Sequence, residues 1–259
     1  MIALSANHYI CPDGYGCARF LDEAARAGYR SVALTRAALA EMSPTRLRKE
    51  LDLRDLRVTS LNSAGFFTWR DPERRASQED ENRALVDAAA EIGAGTLCVI
   101  TGGSLEQQDI ASARARIVEG LGVLDACAAN CGVRLGLEPI HPRDAPTKGC
   151  VNSIAQAREF IRPLTATGLI LDLFHSWWDP DLVPTTGLGS TEIVQICNVT
   201  PEPRRSPDLA NGMLDVRVLV QDMRANGFEG PLEFEIFAAD HGQAGVAPIL
   251  EAAMDWARG

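Results

Sequence analysis

The stretch Gly132-Val-Arg-Leu-Gly-Leu-Glu138 contains the pattern that decides the fold of this chain. A glycine after a helical run accepts the left-handed conformation that ends a helix, so Gly132 predicts a helix end. The largely apolar run after it is typical of a strand in a parallel sheet that is covered on both faces. A helical run followed by such a strand recurs along the chain. The pattern predicts eight strands, at residues 2–6, 30–35, 57–62, 96–101, 133–138, 169–172, 193–198 and 232–236.

Eight strands that alternate with helices in 259 residues predict an α/β fold, the (β/α)8 TIM barrel. We expect one domain over residues 1–259, because no linker or low-complexity tract divides the chain. A doubly wound open sheet is the alternative, but no G-x-G-x-x-G motif follows the first strand. A shortened or irregular helix is predicted between the sixth and seventh strands, where helix-breaking residues cluster. They are Pro180, Pro184, Gly187 and Gly189.

The composition narrows the class of protein. A formal net charge of −10 disfavours binding to nucleic acid, which needs a basic surface, and 46% hydrophobic residues exclude a disordered chain. The N-terminus has neither a basic nor an apolar region of the kind a secretory signal needs, which predicts a cytoplasmic protein. No apolar run is long enough for a membrane span. The seven cysteines include no C-x-x-C pair, which favours reduced thiols.

Four polar residues interrupt the apolar strands that are predicted fifth to eighth along the chain. They are Glu138, Asp172, Gln195 and Glu235. A lone charge in such a strand is costly unless it is paired or bound to a cation. Pairing with a basic side chain is the alternative, but these strands contain few basic residues. Because three carboxylates and an amide oxygen suit Mn²⁺ or Mg²⁺, the sequence favours a metal site at the barrel mouth.

Several short motifs carry a resemblance that covers essentially the whole chain. They are Gly-Leu-Glu138-Pro-Ile, Asp172-Leu-Phe-His175, Val-Gln195-Ile and Gly-Pro-Leu-Glu-Phe-Glu235-Ile. In this order they resemble the xylose isomerase-like TIM-barrel superfamily of sugar isomerases and epimerases. The resemblance implies one divalent ion, with Mn²⁺ preferred over Mg²⁺ or Co²⁺. It also implies that Glu138, Asp172, Gln195 and Glu235 hold this ion.

The position of Gln195 separates branches of the superfamily. Many members carry histidine where this chain has Gln195, whereas the hydroxypyruvate isomerase-like branch is similar to it in carrying glutamine. The endonuclease IV-like branch needs a metal cluster with more histidines than this chain provides. A DNA-directed or non-catalytic member is therefore the weakest of the alternatives.

The resemblance implies an isomerase or epimerase of a small keto-sugar, inosose or hydroxy-ketoacid. Such a reaction removes an α-proton, and a divalent ion stabilises the resulting enediolate. Glu138 and Glu235 are the expected acid–base pair as well as metal ligands, and His175 is expected to bond a substrate oxygen. A dehydratase of inosose or dehydroshikimate on the same scaffold is the alternative, because it begins with the same proton abstraction.

Residues in the predicted loops at the mouth supply further candidates for substrate contacts. They are His8, Asn62, Trp178, Lys148 and Arg204. A solvated loop lysine is the alternative for Lys148, and Arg205 is an alternative to Arg204. By analogy with other barrels of this type, a homodimer or homotetramer is expected, with a small carbohydrate-like molecule as the partner.

Overall fold

The predicted barrel is confirmed in the structure, a computed structural model that describes residues 2–107, 109–202, 204–242 and 244–259. The eight parallel strands of the barrel are β1 (Leu4–Asn7), β2 (Ser31–Thr35), β3 (Arg57–Gly65), β4 (Thr96–Ile100), β5 (Arg134–Leu137), β6 (Thr167–Asp172), β7 (Thr191–Ile196) and β10 (Leu232–Phe234). They close in the order β1-β10-β7-β6-β5-β4-β3-β2. Each lies within three residues of its predicted bounds at either end.

Helices surround the barrel. They are α1 (Cys17–Ala27), α2 (Arg36–Glu41), α3 (Pro44–Asp52), α4 (Pro72–Ile92), α5 (Ile110–Cys131), α6 (Ile154–Ile161), α7 (Leu173–Ser176), α8 (Leu182–Thr186), α9 (Val216–Ala225), α10 (Ala238–His241) and α11 (Val246–Arg258). Three 3-10 turns cover His8–Ile10, Ser104–Glu106 and Pro142–Asp144. No helix in the described part of the chain is long and apolar enough to cross a membrane.

Local sequence sets where the helices begin and end. Ser43 accepts a hydrogen bond from the backbone N–H of Arg46, which caps the start of α3 ahead of its first-turn Pro44. At the end of α5, Gly132 adopts a φ of 69°, and its N–H bonds to Ala128 O. Because this left-handed turn redirects the chain at once, β5 starts two residues later.

The mouth of the barrel is closed in part by short elements between β6 and β10. The short helices α7 and α8 take up the connection between β6 and β7. A small antiparallel hairpin follows β7, formed by β8 (Asn198–Val199) and β9 (Arg205–Ser206). The hairpin pairs Val199 with Arg205, and it contacts α10 after the last barrel strand. It thereby carries Arg205 over the carboxyl ends of the strands.

Candidate metal centre and substrate cavity

Three carboxylates meet at the carboxyl ends of the barrel strands β5, β6 and β10. Asp172 is the last residue of β6, and Glu138 and Glu235 directly follow β5 and β10. All three side chains are buried. Burial raises the pKa of each carboxyl group above its ordinary value, and the negative charge of Asp172 raises the pKa of Glu138 further. The fold therefore groups three carboxyl groups where water is scarce and where ionisation of each is costly without a positive partner.

His175 lies beside two of these carboxylates. Potential ligand atoms of Glu138, Asp172 and His175 lie within 4.8 Å of one another, which makes them a candidate metal-binding group. The His175 Nε2 atom is 3.8 Å from Glu138 Oε1 and 3.9 Å from Asp172 Oδ2. Its other ring nitrogen, Nδ1, accepts a hydrogen bond of 3.2 Å from the backbone N–H of His141. Burial lowers the pKa of His175 well below its ordinary value, so the ring is neutral.

A buried arginine joins two of the carboxylates. The Nη2 atom of Arg205 donates to Asp172 Oδ2 and, at 3.0 Å, to Glu235 Oε1. The guanidinium lies 4.5 Å from the ring centre of Phe174 and 4.8 Å from that of Phe237. The expectation that these carboxylates lack a basic partner is therefore wrong for Asp172 and Glu235. The basic partner, Arg205, lies on the hairpin that follows β7. The expectation considered only basic residues within the barrel strands.

The charges at the mouth still favour a cation. When Glu138, Asp172 and Glu235 are ionised, the buried Arg205 guanidinium compensates one of three negative charges. Nearby, Gln195 Oε1 is buried and has no hydrogen-bond donor within the described residues. The carboxylate oxygens and the amide oxygen form an oxygen-rich donor set, and such a set fits one hard divalent ion.

Two further contacts hold the carboxylates in place. Asn7 Nδ2 donates to Glu235 Oε2 at 3.0 Å, and the Cys98 thiol donates to Glu138 Oε2 at 3.4 Å. Sequence reasoning missed the role of Cys98, because an apolar run around a cysteine gives no sign of a polar partner. Asn7 carried a positional signal, since it lies at the end of the first predicted strand.

Two of the carboxylates, Glu138 and Glu235, open onto a cavity of about 180 Å³. Glu138, Glu235, His175 and Arg205 line it, together with the predicted substrate contacts Asn62 and Lys148. A second cavity of about 430 Å³ borders it and includes His8 in its lining. Asn62, Tyr9, Ser63 and Phe66 line both cavities. The structure thus brings His8, Asn62 and Lys148 to the mouth.

The two remaining candidates for substrate contact, Trp178 and Arg204, lie in other positions. Trp178 packs edge-on against His141, and its indole Nε1 donates to His175 O at 3.0 Å. Arg204 is exposed, whereas the adjacent Arg205 is buried in the site. Side chains alternate between the two faces of a strand, so only one of two consecutive arginines can face the carboxylates.

The closed barrel and its acidic mouth define a TIM-barrel protein with a candidate metal centre. Residues 21–259 match the family model described as xylose isomerase-like TIM barrel, and the chain belongs to this family. No curated protein matches it in sequence.

Several solved structures share the fold of this chain. Protein SMc04130 from Sinorhizobium meliloti 1021 is 29% identical, with a TM-score of 0.91 over 99% of this chain and 97% of that one. The IolI protein with a bound zinc atom is 18% identical, with a TM-score of 0.82 over 98% and 96% of the two chains. The 3-keto-D-glucoside 4-epimerase from E. coli is also 18% identical, with a TM-score of 0.80 over 100% and 99%.

Proposed function

We propose that this protein is a divalent-metal-dependent isomerase or epimerase of a small keto-sugar, inosose or hydroxy-ketoacid. One observation carries the proposal: three buried carboxylates lie together beside a cavity that Glu138 and Glu235 line, and a single buried guanidinium pairs with two of them. The known proteins of this fold support it, since one is named as an epimerase and another holds a zinc atom. The whole chain, residues 1–259, is proposed to act as one domain.

The residues proposed to hold the ion are Glu138, Asp172, Gln195 and Glu235. Mn²⁺ is the proposed ion, with Mg²⁺ or Co²⁺ as alternatives, because the donors are all oxygen atoms. When bound, a divalent ion supplies positive charge that lowers the cost of the negative charge developing on substrate oxygens.

The proton transfers are assigned to Glu138 and Glu235. Both side chains line the cavity, and they come from strands separated by β6 and β7 around the barrel. One carboxylate removes the α-proton, and the other returns a proton to the opposite face in an epimerisation. Both carboxyl groups are buried beside the cavity, so neither is shielded by bulk water from a substrate bound there.

Substrate binding is assigned to the residues around the carboxylates. His175 is proposed to donate to a substrate oxygen, because its Nε2 atom faces the cavity between Glu138 and Asp172. Asn62 and Lys148 also line this cavity, and His8 lines the adjoining one. The cavities suit a small polar molecule, and assembly into a dimer or tetramer stays a prediction.

A screen of the Mn²⁺-loaded protein tests the proposal. Ketoses, inososes and hydroxypyruvate are incubated in D₂O and followed by NMR for exchange of an α-proton and for a rearranged or inverted product. We expect Glu138→Gln and Glu235→Gln each to lower kcat/KM at least about 100-fold, as loss of a general acid or base does. Glu229→Gln, at an exposed carboxylate, is the matched control.

Three outcomes count against the proposal. A product with a conjugated enone, which absorbs in the ultraviolet, replaces the isomerase with the dehydratase on the same scaffold. Full activity and full metal content in both glutamate variants contradict the assigned roles. Failure of the wild-type protein to bind any divalent ion contradicts the metal-dependent reaction itself.

A further inference from the structure

A fourth carboxylate lies deeper in the barrel, below the three at the mouth. In the parallel sheet, Gln195 of β7 is in register with Asp172 of β6 on one side and with Glu233 of β10 on the other. Residues in register on neighbouring strands point to the same face, so these three side chains share the barrel interior. Gln195 and Glu233 are both fully buried.

A hydrogen bond fixes which end of the Gln195 amide faces Glu233. Gln195 Nε2 donates to Glu233 Oε2 at 3.2 Å. In a primary amide the nitrogen donates hydrogen bonds and the oxygen accepts them, so this contact places the amide nitrogen on the Glu233 side. The amide oxygen consequently points away from Glu233, and no donor in the described part of the chain reaches it.

Glu233 is itself held in position. Its other oxygen, Oε1, accepts a hydrogen bond of 2.6 Å from the Thr59 hydroxyl on β3. Thr59 in turn shares a hydrogen bond of 2.9 Å with Ser5 on β1. The two oxygens of the carboxylate therefore have separate partners, Thr59 on Oε1 and Gln195 on Oε2. The contact that orients the Gln195 amide is the one to Oε2.

We infer that Glu233 is a positioning residue that turns the oxygen, rather than the nitrogen, of the Gln195 amide toward the cation site. The inference rests on the proposed function, because it takes Gln195 as a ligand with Glu138, Asp172 and Glu235. An amide has two rotamers of nearly equal shape, and the reversed one would present two N–H donors to a cation. Partners that orient a ligand in this way typically contribute 10- to 100-fold to metal affinity.

Calorimetric titration of the metal-free protein with Mn²⁺ tests this role without an activity assay. The variants are Glu233→Gln, Gln195→Ala and the double variant. Glutamine at 233 keeps the size of the side chain but can donate to Gln195, so the amide of Gln195 is free to reverse. We expect Glu233→Gln to weaken Mn²⁺ binding about 10-fold or more. In the Gln195→Ala background the same change causes no further loss, because Glu233 then has no ligand to orient.

Thr59→Val is the matched control. It removes the hydrogen bond from Thr59 to Glu233 Oε1 and leaves the bond from Gln195 to Oε2. We expect near-wild-type Mn²⁺ affinity, whatever the change in thermal stability. Should Glu233→Gln fail to fold, Glu233→Asp replaces it, since the shorter carboxylate keeps the charge but withdraws from Gln195. The same loss of affinity is expected.

The results separate this inference from the proposed function. Unchanged Mn²⁺ affinity in Glu233→Gln overturns the inference alone, as does an equal loss in the presence and absence of Gln195. A loss of the same size in Thr59→Val also overturns it, because general packing of the interior would then set the affinity. Absence of Mn²⁺ binding by the wild type overturns the proposed metal centre and the inference together.

Discussion

The backbone N–H of His141 donates to Nδ1 of His175 at 3.2 Å, and this bond places the ring proton of His175 on Nε2. Nε2 is the atom that faces the carboxylates, 3.8 Å from Glu138 Oε1. A nitrogen that carries a proton cannot also bind a metal. Although His175 belongs to the candidate metal-binding group by distance, its hydrogen bonding favours a role as donor to a substrate oxygen.

Replacement of His175 therefore separates catalysis from metal binding. We expect His175→Ala to lower kcat/KM about 100-fold or more while the bound Mn²⁺ stays near the wild-type amount. Asp172→Ala removes a proposed ligand and is expected to lose both the ion and the activity. The metal content of the two dialysed variants, measured together with their kcat/KM, tests both expectations. Loss of the ion from His175→Ala would show that the imidazole is a ligand after all.

Arg205 is expected to stabilise the metal-free protein. Its guanidinium lies between Asp172 and Glu235, and removal of one partner of a buried ion pair leaves uncompensated charge. We expect Arg205→Met to lower the free energy of unfolding by about 3 kcal/mol in the presence of a chelator. Added Mn²⁺ is expected to restore more stability to this variant than to the wild type, because the ion replaces the lost positive charge.

Urea denaturation with chelator and with Mn²⁺ measures both effects. Arg204→Met is the matched control, because Arg204 is the exposed neighbour of Arg205 on the same hairpin. Exposed substitutions usually change stability by less than about 0.5 kcal/mol. Equal destabilisation in the two variants would contradict a specific role of Arg205 between the carboxylates.

The sequence predicts the barrel well because the signals for it are local. A short apolar run after Gly132 defines β5 without reference to contacts with the rest of the chain. The inward position of Arg205 has another origin, since it depends on the pairing of Val199 with Arg205 across the hairpin. Two consecutive arginines give no sign of which one faces the site. The choice of Arg204 over Arg205 therefore could not be made from the sequence.

The sequence could have identified Glu233 as a second inward-facing carboxylate of the last barrel strand. Glu233 and Glu235 are two residues apart, and residues at this spacing share one face of a strand. A strand that directs Glu235 to the barrel mouth therefore also directs Glu233 to the interior. Its hydrogen bonds, however, come from β3 and β7, and their partners become apparent only when the barrel closes.

Close packing inside the barrel gives a test of the fold. A Cβ atom at Gly136 of β5 would lie 2.4 Å from Ile170 Cγ1 on β6, which is too close for any side chain. We expect Gly136→Ala to lower the free energy of unfolding by about 1–3 kcal/mol. Gly122→Ala in α5 is the control, since a Cβ there meets no atom within 4 Å. Alanine favours a helix over glycine by about 1 kcal/mol, so the control should be at least as stable as the wild type.

His8 gives a prediction for the pH dependence of stability. Its ring is buried, its Nδ1 atom bonds with the Thr35 hydroxyl at 2.9 Å, and Phe20 packs 5.0 Å from it. Burial lowers the pKa of His8 from 6.5 to about 4. Between pH 6.5 and about pH 4 the His8 ring is protonated in the unfolded chain but largely neutral in the folded chain. The contribution of His8 to stability therefore falls as the pH falls.

His8→Gln is expected to remove this part of the acid sensitivity. Relative to the variant, the wild type should lose up to about 3 kcal/mol of unfolding free energy between pH 7.5 and pH 4. Urea denaturation across this range measures it, with chelator present in both samples. Use of the difference cancels the titration of the carboxylates that both proteins share. A constant difference across the range would mean that His8 takes up its proton in the folded state as readily as in the unfolded one.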